Sequence, residues 1–298
     1  MHTTLVILAA GLGSRFGGGS AKQVTVLGKH GEIMADYSVY DAIKGGFTKI
    51  VYVIKPEMEQ AFIENVSSKI KGAEVALAFQ SIDDLPPGFS PQGREKPWGT
   101  AHAVWAARNV VNEPFMMIHA DDFYGADIYA GINKFLRDKN NGDFDYAMGG
   151  YYLQKTLSSH GGVSRGVCSV ANGYVTDVRE THKIERRHDG IAYPDGDDWK
   201  YLPGSTIVSM GAFAFKPTIF DAIDKKLIEF LQTNPQNSKA ELLMPDVVSS
   251  LITSKTATVK VIESKSQWLG VTYKEDTEIV QKAIADLTAD GQYPEKLF

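Results

Sequence analysis

Along the first half of the chain, short apolar runs alternate with stretches whose apolar residues recur every three or four positions. Leu5-Val6-Ile7-Leu8 is a continuous, partly β-branched run that ends near glycine, the pattern of a strand covered on both faces. The spacing of Ile33, Tyr37 and Tyr40 predicts a helix over 33–44, stopped by Gly45-Gly46. Residues 50–54 read as a second buried strand. Pro56 then opens a helix that carries Met58, Phe62, Val66 and Ile70 on one face, and residues 75–79 read as a third strand. A Pro-, Gly- and charge-rich stretch over 81–98 reads as a loop, with Thr100 as the N-cap of a helix after it. Residues 115–119 form a fourth strand that ends at Asp121-Asp122, and a helix around 128–136 leads to a strand at 145–152. Strand and helix in alternation imply right-handed crossovers and a mostly parallel sheet.

The second half is less regular. Residues 167–170 and 174–178 flank Asn172-Gly173 and predict a hairpin. Residues 182–204 are polar and of both charge signs, which reads as a surface loop or lid. A strand at 207–215, a helix from Pro217 carrying Phe220, Ile223, Leu227 and Leu231, a strand at 259–262 and a helix around Val280 and Ile284 complete the chain. The expected fold class is α/β: a Rossmann-like open, mostly parallel sheet with helices on both faces and small inserted β-hairpins. With no repeat or linker in view, one domain over 1–298 is expected, its core at 1–225 completed by 226–298.

Composition narrows the partners. The 298 residues include 31 Lys plus Arg and 36 Asp plus Glu, a net charge of −5. A mildly acidic chain has no overall attraction for polyanions, so neither nucleic acid nor a membrane surface is an expected partner. Any phosphate must be met by a few placed groups. Cys168 stands alone, which excludes an internal disulfide and fits a reducing compartment. The N-terminus lacks a basic signal region and no run reaches the ~20 apolar residues of a membrane span. A cytoplasmic protein is expected, with a homo-oligomer left open.

The chemistry concentrates in Leu8-Ala9-Ala10-Gly11-Leu12-Gly13-Ser14-Arg15-Phe16-Gly17, followed by Lys22-Gln23. A strand running into Gly-x-Gly lets backbone N–H groups approach phosphate oxygens. A dinucleotide fingerprint would need glycine where Phe16 stands, and a P-loop would need Gly-Lys-Ser/Thr, which is absent. A glycine turn with Arg15 inside it and Lys22 beyond it suits a triphosphate; two solvated cations beside a structural turn is the plainer alternative.

This run resembles the signature of the sugar-1-phosphate nucleotidyltransferase family, within the NTP transferase superfamily. Gly99-Thr100-Ala101-His102-Ala103 is similar to that family's base-contact segment, and His119-Ala120-Asp121-Asp122-Phe123-Tyr124-Gly125 to its metal-binding strand end. The resemblance is strong over 1–125, diffuse to about 216 and weak beyond. It implies Mg²⁺-dependent transfer of a nucleotidyl group from a nucleoside triphosphate to a sugar 1-phosphate, giving an NDP-sugar and pyrophosphate. It further implies nucleotide contacts from Ala10, Gly11, Gly13, Gln80, Gly99 and Thr100, and catalytic charge from Arg15, Lys22 and Lys183. Gly150 and Glu180 would meet the sugar, and Asp121 the metal.

Asp121 also has a plain reading as a strand-end turn residue, and Asp122 is expected to face the other way as a turn or supporting group. His119 reads as packed, Trp268 as an aromatic anchor over the core, and His102 has no assigned role. Where relatives carry a late metal-binding Asp, this chain has Gly270, which leaves Thr272, Asp276 or a water to complete a metal shell. A cytidylyltransferase acting on a non-sugar alcohol phosphate and a non-catalytic nucleotide-sensing module are the alternatives; a dehydrogenase is disfavoured by Phe16.

Overall fold

The computed structural model describes residues 2–12, 26–234, 239–271 and 275–298. Its elements in chain order begin with β1 (Thr4–Leu8), α1 (Met34–Lys44), β2 (Lys49–Ile54), α2 (Glu59–Asn65), β3 (Glu74–Phe79) and α3 (Thr100–Trp105). There follow β4 (Phe115–His119), β5 (Asp122–Phe123), α4 (Ala126–Arg137), β6 (Asp145–Tyr152), β7 (Val163–Ala171), β8 (Tyr174–Arg187), β9 (Gly190–Asp195) and β10 (Asp198–Leu202). The last are β11 (Ile207–Phe215), α5 (Ile219–Thr233), α6 (Met244–Thr253), β12 (Thr258–Glu263), β13 (Leu269–Gly270) and α7 (Asp276–Ala289).

The strands that the alternating pattern predicts in the first half are present within a residue or two, and they pair in parallel as β3-β2-β1-β4. Because successive side chains leave a strand on opposite faces, β1 sends Leu5 and Ile7 to one core and Val6 to the other. The first core is covered by Val39 of α1, Phe62 of α2 and Ile132 of α4. The second is covered by Trp105 of α3, Phe220 of α5 and Val247 of α6. Burial on both faces is what made these strands continuous apolar runs.

Beyond β4 the sheet departs from the expected open, mostly parallel arrangement. β11 enters antiparallel between β4 and β6, and β12 then pairs parallel to β6. The hairpin strands run longer than their apolar cores, nine residues in β7 and fourteen in β8. Their length lets β7 pair with the first half of β11 while β8 reaches β12. The result is a mixed α/β fold in which β6, β11, β7, β8 and β12 close into a small mixed barrel at the β4 edge of the parallel strands.

Residues 182–204 are a second correction. The stretch is the end of β8 followed by the β9–β10 hairpin, antiparallel throughout. Ile184, Ile191 and Ala192 are its buried residues, and its other side chains are largely solvated, so alternation is too sparse to betray it. α6 was also absent from the expected elements. Among the described residues no helix is long and apolar enough to cross a membrane.

Candidate active site

The site lies where β1 and β4 end. These neighbours are parallel and in register, Leu8 opposite His119, and the Ala120 N–H donates to the Leu8 carbonyl at 3.2 Å. The turn after β1 and the turn after β4 therefore leave the sheet side by side. The first is a single 3-10 turn over Ala10–Leu12, in which Gly11 is exposed and a Cβ there would meet nothing within 4 Å among the described residues. Gly13, Arg15 and Lys22 lie outside the described residues, as does Thr272.

The second turn places Asp121, exposed, on the wall of a cleft of about 430 Å³. Thr100 and Glu180 line the same cleft, so three residues that the sequence assigned to metal, nucleotide and sugar are brought together. Thr100 is the first residue of α3 and not its N-cap; Gly99 holds that position. The Thr100 hydroxyl oxygen accepts from the Met244 N–H at 2.9 Å, tying α3 to the start of α6. Gly99 has φ +109°, and a Cβ there would sit 2.4 Å from the Leu242 carbonyl oxygen, so only glycine fits this approach.

Behind this segment is a buried polar chain. The Gln80 amide nitrogen donates to the Gly99 carbonyl at 3.3 Å and lies 3.3 Å from His102 Nδ1, while His102 Nε2 is 2.7 Å from the Asp84 carbonyl. A carbonyl only accepts, so Nε2 carries the proton and Nδ1 accepts from Gln80. Burial holds the His102 pKa below its ordinary value, consistent with a neutral ring. Arg108 makes a bidentate pair with Asp84, at 2.7 and 2.8 Å, and fixes the far end. Gln80 thus shapes the Gly99-Thr100 turn from below.

Several residues of the cleft were not assigned to it from sequence. Asp122 does not turn away: it lies in β5, opposite Gly270 of β13, and lines the cleft with Asp121. Burial, with repulsion from Asp121, pushes its carboxyl well above the usual range. A Cβ on Gly270 would lie 2.3 Å from the Trp268 ring and 3.1 Å from Asp122 Oδ1, so glycine makes room for both. Trp268 is buried in the core, as expected of an anchor, and also forms part of the cleft wall.

His119 lines the cleft, and burial holds its pKa down against the pull of Asp121. The His119 backbone N–H donates to the Tyr124 hydroxyl at 3.1 Å; that hydroxyl lies 3.1 Å from Asp122 Oδ2 and 3.0 Å from the Met210 carbonyl, to either of which it can donate. Facing His119, β11 slips register between Ser209 and Phe213, and the bulge carries Ser209, Met210 and Gly211 into the cleft. A glycine in the middle of the 207–215 run was the available signal for this bulge.

Arg165 is the other unassigned group. It lies on β7, 6% exposed, with the Trp268 ring centroid 4.6 Å from its guanidinium carbon. Burial pushes its pKa down to about 10, so it remains a cation at neutral pH.

Ala10, Gly11, Gln80 and Gly99 are not among the residues that line the cleft, and neither are three further assigned positions. Gly150 is packed inside the barrel, where a Cβ would meet Val261 Cγ1 at 2.5 Å. Lys183 is exposed at φ +56° in the β8 bulge. Asp276 accepts from the Ser158 hydroxyl at 2.8 Å and lines a smaller adjoining cavity of about 200 Å³, which shares Arg165 and Trp268 with the first.

A glycine turn and a carboxylate meet at the C-terminal ends of the parallel strands of this α/β fold, where such sheets bind ligands. The family model for nucleotidyl transferase matches residues 4–285, and the chain belongs to that family: it is a nucleotidyltransferase. No curated protein sequence matches it. Among solved structures it is similar to the inositol-1-phosphate CTP transferase of T. maritima, with 13% identity, TM-score 0.59, and coverage of 94% of this chain and 95% of that one. A structure described as a glucose-1-phosphate thymidylyltransferase from Bacillus anthracis, in complex with a sucrose, aligns at 15% identity and TM-score 0.61, covering 95% and 96%. A UDP-glucose pyrophosphorylase complexed with UDP-glucose aligns at 16% identity and TM-score 0.59, covering 96% and 99%. At these identities the structural likeness speaks for the fold.

Proposed function

We propose that the chain transfers a nucleotidyl group from a nucleoside triphosphate to a sugar 1-phosphate. An oxygen of the acceptor phosphate attacks the α-phosphorus, the bond to the bridging oxygen breaks, and pyrophosphate leaves. The nucleophile is already anionic, so no general base is needed, and catalysis is charge neutralisation with in-line positioning. The observation that carries this reading is the pairing of Leu8 with His119, which sets the Ala10-Gly11 turn beside Asp121. Two of the aligned structures bear the names of a sugar-phosphate thymidylyltransferase and a sugar-nucleotide pyrophosphorylase, which supports a sugar acceptor.

In this reading Ala10, Gly11 and Gly13 cradle phosphates, Arg15 braces the leaving pyrophosphate and Lys22 faces the α-phosphate. Gly99 and Thr100, shaped by Gln80, border the base. Glu180, whose pKa burial raises, meets acceptor hydroxyls. Lys183 and Gly150 stand outside this cleft and are given no part.

The residues also fit a divalent cation. Asp121 and Asp122 offer hard carboxylate oxygens on one wall, and the described residues contain no group of three or more His, Cys, Asp or Glu able to hold a metal by themselves. One or two carboxylates, with phosphate oxygens and water for the rest, is the ligand set Mg²⁺ favours. Asp121 would hold it, and bound there it would neutralise phosphate charge.

The test is pyrophosphate release by the purified protein with Mg²⁺, each nucleoside triphosphate in turn, and a panel of acceptors. The expected result is release with one or more sugar 1-phosphates at rates at least tenfold above those with inositol phosphates and non-sugar alcohol phosphates. Preference for the latter would move the assignment to a cytidylyltransferase-like reaction on a polyol phosphate, as the name of one aligned structure suggests. Nucleotide binding without release on any acceptor would make the protein a sensor.

A further inference from the structure

Among the described residues that line the main cleft, Arg165 is the one lysine or arginine. It is more than nine-tenths buried, yet its hydrogen bonds go to neutral groups: Nε donates to the Thr156 carbonyl at 3.1 Å, Nη1 to the Ser164 carbonyl at 2.7 Å and Nη2 again to Thr156. Carbonyls orient a guanidinium without balancing its charge. Asp122, Glu180 and Asp276 attract it through space, and an anion bonded directly to the free N–H groups would complete the balance.

A guanidinium has five N–H donors, and three are used here. One N–H on each Nη is left, enough to meet two oxygens of a phosphate. The guanidinium carbon lies over the Trp268 ring, 4.6 Å from its centroid, so the ring shields the cation on that side. The fork is therefore fixed before any ligand arrives.

Its position agrees with its chemistry. Arg165 is attracted through space to Asp122 on the metal side of the cleft and to Glu180 on the acceptor side. Gly166, the next residue, pairs with both Glu180 and Ser209. A phosphate monoester whose charged end reaches Asp121 and whose hydroxyls reach Glu180 must put its phosphorus between them.

We propose that Arg165 binds the phosphate of the acceptor, holding its oxygens for attack, where the family resemblance offered Lys183 as a catalytic cation. This rests on the acceptor being a phosphate monoester, as in the function proposed above.

The test uses the full chain, with glucose 1-phosphate and myo-inositol 1-phosphate as acceptor probes, and reads binding by calorimetry beside steady-state kinetics. Arg165→Met is expected to weaken binding of the acceptor probe roughly 10- to 100-fold, the range of a lost hydrogen bond to a charged group. KM for the acceptor should rise accordingly while KM for the triphosphate stays within about twofold, and Arg165→Lys should recover part of the loss. Equal acceptor affinity in folded Arg165→Met overturns the assignment, as does a matching loss of triphosphate binding, which would mark a scaffold residue. If the Met variant does not fold, a crystal structure of the wild type with the probe decides: a phosphate oxygen within hydrogen-bonding distance of Arg165 Nη supports the assignment, and a phosphate seated elsewhere overturns it. Wild-type protein that binds the triphosphate but neither acceptor overturns the acceptor reading itself and this assignment with it.

Discussion

Gly211 shows how much of the site depends on a single backbone angle. It has φ +80°, and a Cβ there would lie 2.4 Å from His119 Cδ2 and 2.5 Å from Nε2. Gly211→Ala combines left-handed strain of about 1–2 kcal/mol with displacement of the imidazole beside Asp121. The expected outcome is a loss of about 2 kcal/mol in denaturant unfolding together with a fall in turnover of about tenfold or more. Unchanged turnover would show that His119 has no bearing on the cleft. At this scale the sequence was legible where a residue type has a local reason to be there. Asp121 follows a buried strand, Thr100 follows a turn glycine and Glu180 lies on a strand, and all three line the cleft. Arg165 carried no such signal, because its significance comes from Trp268, about a hundred positions away, folding over it. Lys183 looked the better cation on paper, but the β8 bulge turns it to solvent.

At the scale of elements, the parallel strands were legible because two covered faces demand unbroken apolar runs. β1, β2, β4 and β6 were expected and found. The β9–β10 hairpin was not, since backbone pairing holds it together and β10 has little buried side-chain surface. α6 had a signal in Met244, Val247, Val248 and Leu251, which recur at helical spacing, but at ten residues it is short. The β5–β13 pair is two residues on each strand and leaves no periodicity to read, yet it brings Asp122 opposite Gly270 and so sets the second carboxylate of the cleft. Closure into the barrel was hidden for a related reason: pairing partners at long separation are chosen by topology, and period-two alternation says only which face is buried.

At the scale of the whole molecule, the C-terminal segment is held against the first helix by a buried polar contact. Tyr293 donates to Asp41 Oδ2 at 2.7 Å, and the ring packs edge-on against Tyr37, with centroids 5.0 Å apart. Burial pushes the Asp41 carboxyl up to about 7. An unfolded aspartate titrates near 4. Between about pH 4 and 7 the folded state keeps a proton that the unfolded state releases, so stability from this group falls as pH rises. The slope is at most about 1.4 kcal/mol per pH unit and flattens above about pH 7. Asp41→Asn removes the ionisation and keeps an oxygen to accept from Tyr293. Its stability relative to wild type should therefore rise from pH 5 to about pH 7 and level off by pH 8 in denaturant titrations. Parallel curves for the two proteins across that range would show that Asp41 is not held protonated.

The central claim is that this cleft joins the α-phosphate of a nucleotide to a phosphorylated acceptor. Following a nucleoside triphosphate labelled at its α-phosphorus tests it most directly. With Mg²⁺ and a sugar 1-phosphate, label should pass into a sugar nucleotide while one pyrophosphate appears for each label transferred, and added pyrophosphate should drive it back. Label that stays in the triphosphate, or emerges as free nucleoside monophosphate whether or not acceptor is present, would contradict the account.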